Sequence, residues 1–192
     1  MDLFPIFLNI SDKPCLVVGG GTVALRRAGS LSRSGARVTV VAPEILSDFR
    51  RLPGVKLVRR KFRSSDLKSG RLKPVLVVAA TDQRDVNRNM ALLCRARGIL
   101  VNVADDSSAG DFQVPAVVRR GRLTMALTTG GASPALTKLM VQRVGEIFGP
   151  EFRLAADILS RQRKQLLEMS LSKRRKILQG IFRKAGLVKT DK

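Results

Sequence analysis

The chain has 192 residues, 44% of them hydrophobic, which is enough for one sizeable core with a small appendage. Its 36 Lys+Arg against 15 Asp+Glu give a net charge of +21, and it contains no His, Trp or Tyr. Without an imidazole, Ser-His-Asp and Cys-His catalysis and His-ligated zinc or haem are excluded, and the two cysteines, Cys15 and Cys94, make neither a disulfide framework nor a Cys-rich metal site.

Cys15-Leu16-Val17-Val18 is a short apolar run ending in Gly19-Gly20-Gly21, which predicts a strand covered on both faces. Val23, Ala24, Ala28 and Leu31 then recur at helical spacing until Gly35. Arg37–Val41 predicts a second strand, and the alternating Val55–Val58 a third and more exposed one. Val75–Ala80 reads as a buried strand, followed by a helix around Asp85–Arg97 with Val86, Met90, Leu93 and Cys94 on one stripe; Ile99–Val103 is a fifth strand. Alternation at this spacing predicts an α/β fold, a Rossmann-like parallel sheet over about the first 110 residues.

Beyond it, Val114–Val118 and Leu123–Thr128 predict a hairpin around Arg119-Arg120-Gly121-Arg122. Ser133-Pro134 reads as an N-cap with proline in the first turn of a helix carrying Leu136, Leu139, Met140, Val144 and Ile147, ended by Gly149-Pro150. Residues 151–185 predict one or two amphipathic helices broken near Ser170–Ser172. The expected organisation is three spans: 1–112 with the parallel sheet, 113–149 with the hairpin and its following helix, and 150–192 as a basic helical domain. The opening Met-Asp-Leu-Phe has no cationic segment or long apolar run, so a soluble, cytoplasmic chain without a membrane span is expected.

Gly19-Gly20-Gly21-Thr22-Val23-Ala24 fits G-x-G-x-x-A between a strand and a helix. Gly19 permits the tight turn, Gly21 lets a pyrophosphate approach the backbone, Ala24 allows close packing, and the helix N-terminus supplies positive potential. The acid expected about 20 residues on, at the second strand's end, is Glu44 after Pro43; it either meets the ribose or merely starts a helix. No basic side chain directly follows that strand to favour a 2′-phosphate, so NAD is expected over NADP. Ala80-Thr81-Asp82 and Asn102-Val103-Ala104-Asp105-Asp106 close the fourth and fifth strands, where such a sheet presents residues to its ligand. Asp105 and Asp106 there can serve as a base, or as loop-solvating and capping groups.

The segments Leu3–Phe7, Cys15–Ala24, Ala79–Asp82, Val86-Asn87, Asn102–Asp106 and Thr129–Pro134, in this order and spacing, resemble the precorrin-2 dehydrogenase family, which includes stand-alone enzymes and the N-terminal part of bacterial sirohaem synthases. The resemblance runs from Met1 to about Pro150 and fades into the basic tail; no methyltransferase half is matched, so the chain is not expected to make precorrin-2 itself. It implies NAD⁺-dependent oxidation of precorrin-2 to sirohydrochlorin by an interlocked homodimer, with Fe²⁺ insertion a second activity of some members. The family's proposed catalytic Asp falls on Asp105, which would also be the metal-handling group in a chelatase; Asp106 is the weaker candidate. Thr22, Val23, Pro43, Glu44, Thr81, Asn102 and Val103 fall at cofactor-contacting positions, beside Gly19 and Gly21. Thr129, Gly130, Gly131 and Ser133 match a turn beside the tetrapyrrole cleft, where backbone N–H groups can hold a substrate carboxylate and Ser133 can equally be a plain helix cap.

The positive charge is spread along the chain and densest in residues 151–192, with twelve basic and four acidic side chains. Only Lys173–Lys176 is a tight cluster and no aromatic stacking platform accompanies it, so a substrate with eight carboxylates, implied by the resemblance, is favoured over nucleic acid. The alternative reading is a non-catalytic NAD-sensing module with a partner-binding helical tail, which would have no need of Asp105.

Overall fold

The computed structural model describes residues 3–67 and 73–188; the ends of the expected 1–112 and 150–192 spans, and residues 68–72, lie outside the described residues. The chain forms two compact units, one from Phe4 to Val114 and one from Pro115 onward.

In the first unit, β1 (Pro14–Val18), β2 (Arg37–Ala42), β3 (Val55–Arg59), β4 (Leu76–Ala79) and β5 (Leu100–Val103) form one parallel sheet in the order β3-β2-β1-β4-β5. The apolar runs of β1, β2 and β4 are buried because side chains of both faces are covered. On one face Cys15, Val17, Val38, Val40 and Val78 pack with Ala24 and Ala28 of α1 (Thr22–Arg33) and with Phe49. On the other, Leu16, Val18, Val77 and Val101 pack with Met90, Ala91 and Cys94 of α2 (Arg84–Arg95). Burial pushes the Cys15 and Cys94 thiols up to about 11, so neither is a nucleophile near neutral pH.

Both helices turn slightly from the predicted stripes. Val23 stands 40% exposed at the start of α1, while Gly29 is buried instead. On α2 the buried stripe is Asn87, Met90, Ala91 and Cys94, at i, i+3, i+4 and i+7, with Val86 and Leu93 only half-buried beside it. An asparagine therefore occupies a core position of α2.

The edge strand β5 is sheathed by its own continuation. The chain after Val103 folds back so that Asp111 N–H donates to Val101 O (2.8 Å) while Val101 N–H donates to Asp111 Oδ2 (3.0 Å). Arg95 Nε donates to the other oxygen of Asp111 at 3.1 Å, fastening this return to α2. An unpaired edge is thereby closed, and the loop holding Asp105 and Asp106 is pinned at both ends.

The second unit opens with an antiparallel hairpin, β6 (Ala116–Arg120) and β7 (Leu123–Leu127). β6 lies two residues nearer the turn than the predicted Val114–Val118, so Arg119 and Arg120 pair within it, β7 ends at Leu127, and the turn is Gly121-Arg122. In α3 (Pro134–Ile147) the Ser133 hydroxyl accepts from Leu136 N–H at 3.1 Å and Pro134 occupies the first turn. Arg120 donates to Gly145 O (3.0 Å) and Phe148 O (2.9 Å), satisfying carbonyls that a helix end leaves without partners. The break expected near Ser170–Ser172 separates α4 (Pro150–Glu168) from α5 (Leu171–Lys184); Arg174 of α5 reaches back to the carbonyls of Leu166, Leu167 and Met169. No described helix is long and apolar enough to cross a membrane.

Candidate functional site

β1 pairs with β2 on one side and β4 on the other, so the connections leaving its C-terminal edge diverge there. A crevice at such a switch point is where an open α/β sheet binds its ligand. Gly19–Thr22, Pro43-Glu44, Ala80-Thr81 and Ala104-Asp105 all follow strand ends along this edge.

The three glycines do different work. Gly19 has φ +129°, and a Cβ there would lie 2.1 Å from Ala80 O; a Cβ on Gly20 would lie 1.8 Å from Glu44 O. These two positions are closed by backbone packing, and Leu46 N–H donates to Gly20 O at 3.1 Å. A Cβ on Gly21 would meet nothing within 4 Å, so the space over the helix start is open. Gly21 caps α1 without a side-chain hydrogen bond, and the first turn carries no acidic residue. That leaves first-turn N–H groups and the positive end of the dipole for an anion such as a pyrophosphate. The packing role of Gly20 was not deduced from the motif, where it occupies a free position; three glycines in a row was the available signal.

Glu44 is exposed in the loop after β2 and starts no helix, because the nearest helical turn is the 3-10 segment Ser47–Arg51. Asn102 is 4% exposed; its Nδ2 donates to Phe112 O at 2.9 Å, and its Oδ1 has no partner among the described residues. A buried acceptor without a donor costs about 1–3 kcal/mol, which a donor on a bound ligand relieves. A carboxamide of the kind nicotinamide carries is such a donor, and the open Gly21 face has room for a pyrophosphate, so these residues fit a dinucleotide. Thr81 is half-buried after β4, and Val103 is buried at the end of β5.

Asp105 and Asp106 separate cleanly. The Asp106 Oδ1 accepts from Ser108 Oγ (2.6 Å), Ser108 N–H (3.1 Å) and Ala109 N–H (3.3 Å), and the Ser108 hydroxyl foremost holds its carboxyl below the usual range. Asp106 thus caps its own turn. Asp105 is not part of that turn: its Oδ1 accepts from Asn87 Nδ2 at 2.9 Å, and its Oδ2 stands 3.7 Å from Arg84 Nε. Asp105 faces a cleft of about 240 Å³ lined by Arg84, Arg88, Val103 and Asp106. Both arginines are well exposed, one turn apart on α2, and Arg88 lies 3.6 Å from Asp106. Neither arginine was singled out from the sequence, where i,i+4 basic residues read as ordinary helix surface. Among the described residues no three potential metal-ligating side chains cluster.

Thr129, Gly130, Gly131 and Ser133 lie in the second unit. Thr129 Oγ1 accepts from Ser133 N–H (3.2 Å), Gly130 N–H donates to Thr128 Oγ1 (3.1 Å), and the Ser133 hydroxyl is spent on the α3 cap. Gly130 and Gly131 adopt φ +63° and +89°, and a Cβ on either would meet nothing within 4 Å.

The family described as "Putative NAD(P)-binding" matches residues 6–116. Among curated relatives, the siroheme synthase of Methylococcus capsulatus is 41% identical over 175 residues, covering 88% of this chain and 36% of that protein. Siroheme synthase 2 of Aeromonas hydrophila is 32% identical over 197 residues, covering 100% of this chain and 41% of its own length. The chain spans about a third to two fifths of such relatives. Among solved structures, SirC, a precorrin-2 dehydrogenase, superposes with a TM-score of 0.76 at 30% identity, covering 93% of this chain and 89% of SirC. Likeness on that scale, to SirC along 89% of its length and to part of the siroheme synthases, places the chain in the precorrin-2 dehydrogenase family.

Proposed function

We propose that this chain oxidises precorrin-2 to sirohydrochlorin with NAD⁺ as acceptor. The observation that carries the reading is Asp105, a carboxylate outside the capping turn, opening onto a cleft at the sheet edge that also bears the glycine turn. When bound, NAD⁺ supplies the hydride acceptor. Gly19 makes the tight turn with its N–H on Val41 O, so that Gly21, Thr22 and Val23 would hold the pyrophosphate; Pro43 and Glu44 would hold the ribose, and Thr81, Asn102 and Val103 the nicotinamide end. One hydride and one proton leave the substrate, and Asp105 takes the proton. A carboxylate is the base because the chain has no His. Thr129, Gly130, Gly131 and Ser133 form the turn assigned to a substrate carboxylate: Gly130 and Ser133 shape it by donating their N–H groups to Thr128 Oγ1 and Thr129 Oγ1, and Thr129 and Gly131 offer theirs to the substrate.

The division of labour follows the chain: 1–112 holds NAD, 113–149 dimerises, and 150–192 lends basic side chains to the polyanionic substrate. The homodimer is supported by α3, which buries no side chain and leaves Leu136 48%, Leu139 52% and Ile147 65% exposed. The cytoplasm is its proposed compartment.

The decisive experiment supplies the chain with precorrin-2 made in situ and NAD⁺, and follows NADH and sirohydrochlorin together. Equal amounts of both products are expected. NAD⁺ binding without either product would instead fit a nucleotide-sensing module. Sirohydrochlorin with Fe²⁺ and no NAD⁺ tests insertion of the metal as a second activity, read from the absorption spectrum.

A further inference from the structure

Asn87 has a core position on α2 and is 0% exposed. Its Oδ1 accepts from Thr81 N–H (3.2 Å) and Thr81 Oγ1 (2.7 Å); its Nδ2 donates to Thr81 O (3.1 Å) and Asp105 Oδ1 (2.9 Å). A primary amide has two donors and an acceptor with two lone pairs, and all four are used. Turning the amide over would point its oxygen at the Thr81 carbonyl and the Asp105 carboxylate, two acceptors, so its orientation is fixed.

Three of these bonds tie α2 to the end of β4, which any anchoring polar residue would do. The fourth has another consequence. It runs to the end of β5 and holds one oxygen of Asp105, whereas among the described residues the other meets only the loose approach of an exposed arginine. We propose that Asn87 is the positioning residue of the reaction: by clamping Oδ1 of Asp105 to the Thr81 turn, it leaves Oδ2 as the oxygen that takes the substrate proton and sets its place relative to the cofactor end of β4. This rests on the functional reading above.

Asn87→Asp tests it with little change of size. The oxygen facing Thr81 N–H and Oγ1 is retained, while Asp105 loses a donor and gains a carboxylate neighbour. The expected result is a kcat about 10–100-fold lower, an NAD⁺ KM within about twofold, and an acid limb of the kcat profile moved up by about one pH unit, because the charged form of Asp105 is disfavoured. A merely structural Asn87 predicts a lower Tm with kcat within about twofold of wild type, and that result overturns the proposal. A second measurement needs only the wild-type chain, without cofactor or substrate. The Asn87 side-chain NH₂ resonances should shift with pH at the midpoint at which the Asp105 carboxyl carbon titrates, and Asp105→Asn should abolish that shift. Asn87 signals indifferent to Asp105 overturn the clamp whether or not the variant folds. If wild type leaves precorrin-2 unoxidised while these signals move together, the functional reading fails, and the clamp stands without its assigned reaction.

Discussion

In the unit from Phe4 to Val114, Val17, Val40, Val77 and Val101 are shut off from water in a sheet covered on both faces, whereas in the unit from Pro115 the whole of α3 buries no side chain. Each fully buried valine contributes about 1.5–3 kcal/mol, and a parallel sheet sandwiched by helices collects many such terms from short segments. The second unit is thin: only Ala155 and Leu166 of α4 and Ile181 of α5 are buried in its long helices. Its polar fastenings, Arg120 on the end of α3 and Arg174 on the end of α4, fix helix ends without enclosing an interior. The first unit is a self-contained scaffold for a site. The second presents apolar surface for which the proposed homodimer supplies the cover.

Four substitutions probe this contrast. The largest effect belongs to the chemistry: Asp105→Ala should lower kcat about 10²–10⁴-fold while leaving NAD⁺ affinity, followed by calorimetric titration, within about threefold. Loss of NAD⁺ binding as well would mean that Asp105 is part of the scaffold rather than mounted on it. Next, Met90→Ala opens a hole in the sheet–α2 layer and should cost about 2–5 kcal/mol in urea unfolding. A change under about 1 kcal/mol would show that this core is as loosely packed as the second unit.

The Asp66–Arg60 pair comes third, with bonds of 2.6 and 2.8 Å that anchor a turn whose Leu67 enters the core. Burial pushes the Asp66 carboxyl up, but Arg60 and the Arg63 N–H outweigh it and hold it below the ordinary 3.8. A carboxyl lowered in the folded state stabilises above its unfolded value and loses that contribution as pH falls through the folded one. Asp66→Asn should therefore cost about 1–3 kcal/mol at pH 7. The gap from wild type should close below about pH 4, where chemical unfolding at a series of pH values would detect it. A constant gap would assign the effect to shape instead of charge.

The smallest effect on the fold of a single chain is expected from Leu139→Glu on the exposed face of α3, within about 0.5 kcal/mol for the isolated protomer. Its signature is in association: sedimentation should show the variant as a monomer at concentrations where wild type is a dimer. An unaltered dimer would place the interface elsewhere.

Most of the first unit was legible from residue order alone. Apolar runs of four to six residues bounded by glycine or a polar turn suit buried parallel strands, and the observed strands begin and end within a residue or so of the predicted segments. The Ser133-Pro134 helix start was equally plain, because a cap is a local bond between neighbours in sequence. Asn87 belongs to the Val86-Asn87 segment of the resemblance, but its buried role was not legible from helix periodicity. Polar residues on a helix usually face water, and only its place on the i, i+3, i+4, i+7 stripe with Met90, Ala91 and Cys94 could have marked it. Asp111 was equally silent, since its bonds to Val101 and Arg95 join residues ten and sixteen positions away.

Composition and order thus determined the class of fold and the glycine turn, and, in a chain without His, pointed the proposed base to a carboxylate. Tertiary structure decided which carboxylate stands free. Asp105 and Asp106 are chemically identical neighbours; one is consumed by its own turn through Ser108 and Ala109, and the other is caught by an amide eighteen residues away on α2. Sequence spacing encodes local bonds well, but the bond that separates these two aspartates forms only when the end of β5 and the first turns of α2 are packed side by side.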